Sequence, residues 1–282
     1  MTTTQGTATR SLDVPGARLH YEVRGQGPLI LVIGSPMPAA DFAPLAHALA
    51  EDHTVVTYDP RGLAHSTIDD PDQDATPELR ADDVARLLDA LGAETADVFG
   101  TSGGAVTGLA LVAHHPGRVG TLIAHEPPLL QLLPNAVELQ QGVGGVVRTF
   151  HQAGVGAAWG AFMALSGFDV GDGIEEANSA DSPPPQQEPS EQDLKDSSRF
   201  FGHEITGTTN YVPDVPALTK GPTRIVVAVG IESAGGLVDS TTRALAELLH
   251  QSVVEVPGDH AGFIGAPVEF AEALRAALQS GS

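Results

Sequence analysis

The chain has 282 residues, 41% of them hydrophobic, which is enough to bury a large core in one or two domains. Its 14 basic and 36 acidic residues give a net charge of −22, so repulsion disfavours nucleic acid and anionic membranes as partners. The absence of cysteine excludes disulfides, thiolate metal sites and a cysteine nucleophile. Residues 1–10 are polar and do not resemble a signal peptide, and no apolar run reaches the ~20 residues that span a bilayer. We therefore expect a soluble, cytoplasmic protein.

Short apolar strands alternate with amphipathic helices in the first half of the chain. A hairpin is predicted over residues 12–24, with its turn at Pro15 and Gly16. Asp41 and Thr76 are expected to cap the two helices that follow them. The predicted strands cover residues 29–33, 53–58, 97–99 and 119–124, and the predicted helices cover residues 42–50, 77–91 and 105–114. This alternation predicts an α/β fold, a mostly parallel twisted sheet with helices on both faces.

Residues 127–220 interrupt this alternation. A helix is predicted within them at residues 146–165, followed by an acidic, proline-rich and flexible segment at about residues 171–189. The α/β pattern then returns, with strands at residues 224–229 and 253–256 and helices at residues 240–250 and 268–278. We therefore predict a core of residues 1–126 and 221–282, and a cap at residues 127–220. Such a cap either shapes a substrate pocket or is a partly disordered loop without a role in specificity.

A G-x-S-x-G motif, Gly100 to Gly104, follows the apolar strand and directly precedes the predicted helix at residues 105–114. A strand that turns into a helix within two or three residues strains the residue at the apex, and flanking glycines let neighbouring segments approach. The Ser102 side chain is then raised above the sheet, and the N–H of Gly103 points toward whatever binds there. This context favours a nucleophilic serine over an ordinary glycine-rich turn.

Several motifs together resemble those of the α/β-hydrolase superfamily, and the resemblance covers nearly the whole chain except the cap. They are Gly34-Ser35-Pro36-Met37, Asp59-Pro60-Arg61-Gly62 with Ser66, Gly100-Thr101-Ser102-Gly103-Gly104, His125-Glu126-Pro127-Pro128 and Gly258-Asp259-His260-Ala261-Gly262-Phe263. The resemblance implies an esterase-like serine hydrolase in which nucleophile, acid and histidine follow in that order.

A serine hydroxyl needs a base, and His260 is the preferred one among 11 histidines. It follows the last predicted strand, so its loop lies at the same sheet edge as the Ser102 turn. A solvated or half-buried role suffices for His20, His47, His53 and His250. At the end of the helix after the serine, His114 and His115 can interact with the last carbonyls. With the resemblance, His260 is the expected catalytic base.

Three carboxylates are candidates for the acid that orients His260. Most members of the family place an acid after the later strand, where this chain has Glu232. Others, such as some haloalkane dehalogenases, place a Glu where Glu126 stands, and two prolines fix the backbone after it. Asp239 is explained as a cap or first-turn acid of a helix. We prefer Glu126 and keep Glu232 as the alternative.

The oxyanion hole requires two N–H donors, of which Gly103 supplies one. Many relatives carry His-Gly in the loop of the second donor, where this chain has Gly34-Ser35-Pro36-Met37. Because Pro36 has no N–H, the second donor is Met37, which we favour, or Ser35.

These residues predict hydrolysis of a carboxylic ester, lactone or thioester through an acyl-enzyme, with no cofactor and no metal. The expected substrate is a small molecule with a medium-sized apolar acyl or cyclic group. Ser102 excludes the carboxylate nucleophile of epoxide hydrolases and haloalkane dehalogenases, and the H-E-x-x-H zinc motif is absent. A C–C bond hydrolase or perhydrolase with the same triad, and a non-catalytic binding protein, are the alternatives. The sequence leaves the substrate and the oligomeric state open.

Overall fold

The computed structural model describes residues 6–167 and 189–280. Within them the sheet begins with the predicted hairpin, β1 (Ala8–Val14) and β2 (Ala17–Gly25), whose turn contains Gly16 with φ of 74°. The strands that follow are β3 (Leu29–Ile33), β4 (Thr54–Tyr58), β5 (Thr67–Ile68), β6 (Ala96–Thr101), β7 (Val119–His125), β8 (Arg224–Gly230) and β9 (Val254–Val256). All the predicted strands are present, with ends within two residues of the expected ones except that β1 begins four residues earlier, and β5 was not predicted.

The strand order is β1-β2-β4-β3-β6-β7-β8-β9, with β5 paired to β2. β2 is antiparallel to β1, β4 and β5, whereas the pairs from β4 through β9 are parallel. The carboxyl ends of β6, β7, β8 and β9 therefore meet at one sheet edge, where parallel α/β sheets place their sites.

Helices cover both faces of the sheet. They are α1 (Ala43–Leu49), α2 (Pro77–Ala90), α3 (Gly103–His114), α4 (Ala136–Ser166), α5 (Glu191–His203), α6 (Ile205–Thr209), α7 (Val215–Lys220), α8 (Leu237–Leu248), α9 (Gly262–Gly265) and α10 (Pro267–Gln279). Alternate residues of β3 separate the two cores: Leu31 packs with α2 and α3, and Ile30 packs with α1 and α10. This two-sided burial confirms the predicted fold class.

The two predicted helix caps had different outcomes. The Thr76 hydroxyl accepts a hydrogen bond from the N–H of Leu79 at 3.2 Å and caps α2 as expected. Asp41 does not cap α1, so that prediction was wrong. The chain already turns as a 3₁₀ helix at Ala39–Phe42, and α1 begins after Phe42, which removes Asp41 from the capping position.

The helices α4 to α7 lie between β7 and β8, and α4, α5 and α6 contribute to a third apolar cluster that includes Phe200 and Phe201. α4 begins ten residues before the predicted helix. The prediction started too late because three glycines at residues 142–145 weaken the helical pattern in the sequence. Within α4, Gly154 has φ of 83° and interrupts the helix. The predicted flexible segment lies outside the described residues, except for residue 189. The boundaries between core and cap stay a prediction.

Across residues 6–167 and 189–280, no helix combines the length and the apolar character needed to cross a membrane.

The glycines around Ser102 allow β3, β6 and α3 to approach closely. A Cβ on Gly104 would lie 2.2 Å from the carbonyl oxygen of Ile33, and one on Gly100 would lie 2.7 Å from that of Gly104. Both neighbours are backbone atoms, which cannot rotate away as a side chain can. The two glycines thus allow the sheet and α3 to meet at the turn that carries Ser102.

Gly104→Ala should therefore lower the free energy of unfolding in urea by about 1–3 kcal/mol through overpacking. Gly160→Ala is the matched control: it lies in α4 with no atom within 4 Å of its Cβ position. Because alanine favours the helix, the control should gain about 0.5–1 kcal/mol. Equal effects of the two substitutions would contradict the close approach at Gly104.

Candidate active site

Ser102 occupies the turn between β6 and α3, with φ of 54° and ψ of −126°. This conformation is strained for a residue with a side chain and costs about 1–3 kcal/mol. The N–H of Ser102 donates to the carbonyl of His125 at 2.9 Å, which joins the turn to the end of β7. Gly103 is the first residue of α3, so its N–H has no partner within the helix. The side chain of Ser102 and the residue Gly103 line one cavity.

His260 lies in the loop between β9 and α9 and lines the same cavity as Ser102. Its Nδ1 is 2.5 Å from Oε2 of Glu126, which follows β7 with φ of 49°. The other carboxylate oxygen, Oε1, accepts from the N–H of Gly230 at 2.8 Å. With Nδ1 donating to Glu126, Nε2 is the basic nitrogen of the ring. The structure thus brings a serine, a histidine and a carboxylate to one sheet edge.

Glu126 is completely buried yet stays a good hydrogen-bond acceptor. Burial acts to raise the pKa of Glu126, but the hydrogen bond and the electrostatic effect of His260 oppose it, and the net shift is downward. The pKa therefore lies below its usual value, and the carboxylate is ionised at neutral pH.

The other two candidate acids make their recorded hydrogen bonds elsewhere. Glu232 is exposed in the turn after β8, where its own N–H donates to the carbonyl of Gly258 at 3.0 Å. Asp239 lies in the first turn of α8 and accepts from the N–H of Gly235 at 2.9 Å and from Arg243 Nε at 2.7 Å. Of the three carboxylates, Glu126 is the one positioned to orient His260.

His125 is a second buried imidazole beside this pair, and the sequence analysis assigned it no role. Its Nδ1 is 2.8 Å from the Thr101 hydroxyl, and its Nε2 is 3.8 Å from Oε1 of Glu126. Burial lowers the pKa of His125 to about 4, so the ring is neutral. Because a lone pair at Nε2 would repel the carboxylate, the tautomer with a proton on Nε2 is favoured. Extending the predicted strand by one residue, to His125, would have placed this imidazole in the sheet directly before Glu126.

Both candidates for the second oxyanion donor line the cavity. Ser35 lies directly against Gly103: a Cβ added there would be 2.8 Å from the Ser35 carbonyl oxygen and 3.0 Å from its Cβ. Met37 packs instead beside Gly34 and the cluster that contains Phe42. Ser35 is therefore the residue in closer contact with the first donor.

The cavity has a volume of about 390 Å³ and lies between the sheet edge and the helices α4 to α6. Its apolar wall includes Val143, Trp159, Phe162, Met163, Leu165 and Phe200. Among the described residues that line it, Asp259 and His260 are the titratable ones, and lysine and arginine do not contribute. The site suits an uncharged, apolar group.

One possible metal-ligand group occurs among the described residues, away from the cavity wall. It consists of His20, Asp59 and His65, whose ligand atoms lie within 4.8 Å of one another. The carboxylate of Asp59 already accepts from the N–H groups of Ala39 at 2.8 Å and His65 at 3.0 Å. These hydrogen bonds indicate a structural role for Asp59, which stabilises the loop after β4.

The buried His125 predicts a pH-dependent stability. Between pH 6.5 and about 4 the unfolded chain binds a proton at this position and the folded chain does not, so stability falls as the pH falls through this window. At 1.36 kcal/mol per pKa unit, the loss is about 3 kcal/mol. His125→Gln should reduce the pH dependence of urea unfolding by that amount, and an unchanged pH dependence would show that the folded ring titrates normally.

Residues 27–204 match the family described as the alpha/beta hydrolase fold. The chain is 36% identical to the uncharacterized hydrolase YraK of Bacillus subtilis (strain 168) over 286 residues, 99% of this chain and 97% of the relative. A thermophilic esterase from Thermogutta terrifontis has a TM-score of 0.71 at 18% identity, covering 97% of this chain and 98% of the esterase. The enol-lactonase from Burkholderia xenovorans LB400 has a TM-score of 0.59 at 19% identity, covering 96% of this chain and all of the lactonase. The protein is therefore an enzyme of the alpha/beta hydrolase family.

Proposed function

We propose that this enzyme is a serine hydrolase that cleaves a carboxylic ester, lactone or thioester, with Ser102, His260 and Glu126 as its catalytic triad. The observation that carries this assignment is the 2.5 Å contact between His260 Nδ1 and Glu126, beside a cavity that Ser102 and His260 both line. The strained backbone of Ser102 supports the same role, since strain of this kind is found where a side chain must be presented to a ligand.

In this mechanism the Ser102 hydroxyl attacks the substrate carbonyl while His260 Nε2 takes its proton. The ionised Glu126 holds the imidazole in the tautomer with Nε2 unprotonated, and stabilises the imidazolium that forms. His260 then gives the proton to the leaving group. In the second half of the reaction His260 takes a proton from water, the water attacks the acyl carbonyl, and Ser102 leaves with that proton. No cofactor takes part in this sequence.

The N–H of Gly103 is the first donor to the oxyanion. For the second we assign the N–H of Ser35, because Ser35 lies against Gly103. The N–H of Met37, which the sequence favoured, is the alternative within the same loop. Each such donor contributes about 2.7–4 kcal/mol to the stabilisation of the transition state.

The apolar wall favours a small, uncharged apolar acyl group or lactone as the substrate. Of the lining residues within 6–167 and 189–280, Asp259 would repel a carboxylate on the acyl chain and no lysine or arginine would pair with it. The esterase and the enol-lactonase with the same fold act on bonds of this class, which supports the assignment.

Turnover of p-nitrophenyl butyrate by the wild type and by Ser102→Ala tests the proposed nucleophile. We expect Ser102→Ala to lose at least about 10³-fold in kcat while it keeps the wild-type unfolding transition. A folded wild type that binds apolar esters without turning them over would indicate a binding protein instead. Activity retained in Ser102→Ala would refute the serine mechanism.

Glu126→Gln and Glu232→Gln form a matched pair for the acid. Glu126→Gln places an amide against His260 Nδ1 and favours the wrong tautomer, so kcat should fall on the order of 10⁴-fold. Glu232→Gln alters an exposed side chain and should remain within about twofold of the wild type. If only Glu232→Gln loses its turnover, the acid is Glu232.

A further inference from the structure

A buried polar cluster joins the loop after β3 to the helices α4 to α7 between β7 and β8, which we call the insertion. Arg80 of α2 is 1% exposed, and so is Glu204, at the junction of α5 and α6. Arg80 Nη1 donates to the Ser35 hydroxyl at 2.9 Å, and that hydroxyl donates to Glu204 Oε2 at 3.0 Å. Arg80 Nη1 also lies 3.3 Å from the same carboxylate oxygen. The Ser35 side chain is thus held between a core cation and an anion from the insertion.

The remaining donors of Arg80 fix the guanidinium in place. Nε donates to the Thr107 hydroxyl of α3 at 3.1 Å, and Nη2 donates to the Thr208 hydroxyl of α6 at 2.8 Å. Thr107 itself donates to the carbonyl of Gly103 at 3.0 Å. Arg80 is therefore connected to both residues that we assign to the oxyanion hole, Ser35 directly and Gly103 through Thr107.

This cluster is an unfavourable way to stabilise the fold. Two charged groups lose their water, and Oε1 of Glu204 is buried with no hydrogen-bond partner in the described part of the chain. Burial raises the pKa of Glu204, and the charge of Arg80 and the hydroxyl of Ser35 oppose that shift. An apolar contact between insertion and core would fill the same space without this loss, so the polar groups indicate a role beyond packing.

We propose that Arg80 and Glu204 are positioning residues that clamp the Ser35 turn against Gly103, so that the packing of the insertion on the core sets the oxyanion hole. This inference rests on the proposed serine hydrolase function. It predicts that the clamp acts on the transition state more than on the bound substrate, because the oxyanion exists only after Ser102 has attacked.

Ser35→Ala is the central test, because it removes the hydroxyl but keeps the backbone N–H and the Arg80–Glu204 ion pair. With p-nitrophenyl butyrate, kcat should fall about tenfold with KM within about twofold, less than the roughly 10²–10³-fold loss of a whole donor. Affinity for an aliphatic trifluoromethyl ketone, whose adduct with serine carries the oxyanion, should fall in parallel. Affinity for an aliphatic alcohol of the same length, which carries no oxyanion and forms no such adduct, should not change.

Glu204→Gln is the second variant, since the amide keeps the size of the side chain and an acceptor for Ser35. Its kcat should fall in the same direction. Because both substitutions act through one link, the double variant Ser35→Ala with Glu204→Gln should be no slower than the slower single variant. Effects that multiply in the double variant would show that the two side chains act separately and would overturn the clamp.

Asp83→Asn is the matched control, because Asp83 forms a similarly buried ion pair with Arg61, at 2.6 Å, that does not touch the cavity wall. It should lower the urea midpoint and leave kcat per folded molecule unchanged. If Asp83→Asn lowers kcat as much as Ser35→Ala, or if Ser35→Ala keeps the wild-type kcat, the clamp is refuted. A wild type that does not hydrolyse the ester would refute the proposed function itself.

Discussion

The sharp turn at Ser102 is the constraint on which the rest of the site depends. β6 lies at the centre of the sheet and must become α3 with a single strained residue between them. The turn is possible because Gly100 and Gly104 have no side chains where β3, β6 and α3 meet. It is stabilised by the hydrogen bond from Ser102 N–H to the carbonyl of His125. The contacts of the sheet thereby offset the backbone strain at Ser102 and keep its hydroxyl above the sheet edge.

The same parallel geometry explains why Glu126 is the acid that reaches His260. Thr101 and His125 are paired across β6 and β7, so the residues that follow them, Ser102 and Glu126, leave the sheet side by side. The N–H of Glu126 donates to the carbonyl of Ala228, which anchors it to β8 on its other flank. A carboxylate after β8, such as Glu232, starts one strand further from Ser102, and the Glu232 side chain is exposed.

Much of the fold could be predicted from the sequence because its signals are local. Alternating apolar strands, the Thr76 cap and the glycines of the serine motif each act through neighbouring residues, and together they predicted the parallel sheet. The Asp41 cap failed because a 3₁₀ turn displaced the helix start, which a pattern of single residues does not reveal. The start of α4 was missed because glycine has a low helix propensity, and the sequence does not show that packing in the third apolar cluster compensates for it.

The site was harder to predict because its contacts are distant in the chain. Sequence reasoning named Ser102, His260 and Glu126 but had to leave Glu232 open, since nothing local shows which carboxylate an imidazole will reach. Glu204 carries no motif at all, and its contact with Ser35 spans 169 positions. His125 was visible only as the neighbour of Glu126. Such partners follow from strand order and from the packing of the insertion, which the sequence does not display.

Labelling with a fluorophosphonate, followed by peptide mapping, tests the central claim most directly, because the reagent reacts with a serine only when its hydroxyl is activated. We predict a single adduct on the peptide that contains Ser102, formed in the wild type and absent in Ser102→Ala. An adduct on another residue, or no adduct in an enzyme that hydrolyses esters, would contradict the proposed triad.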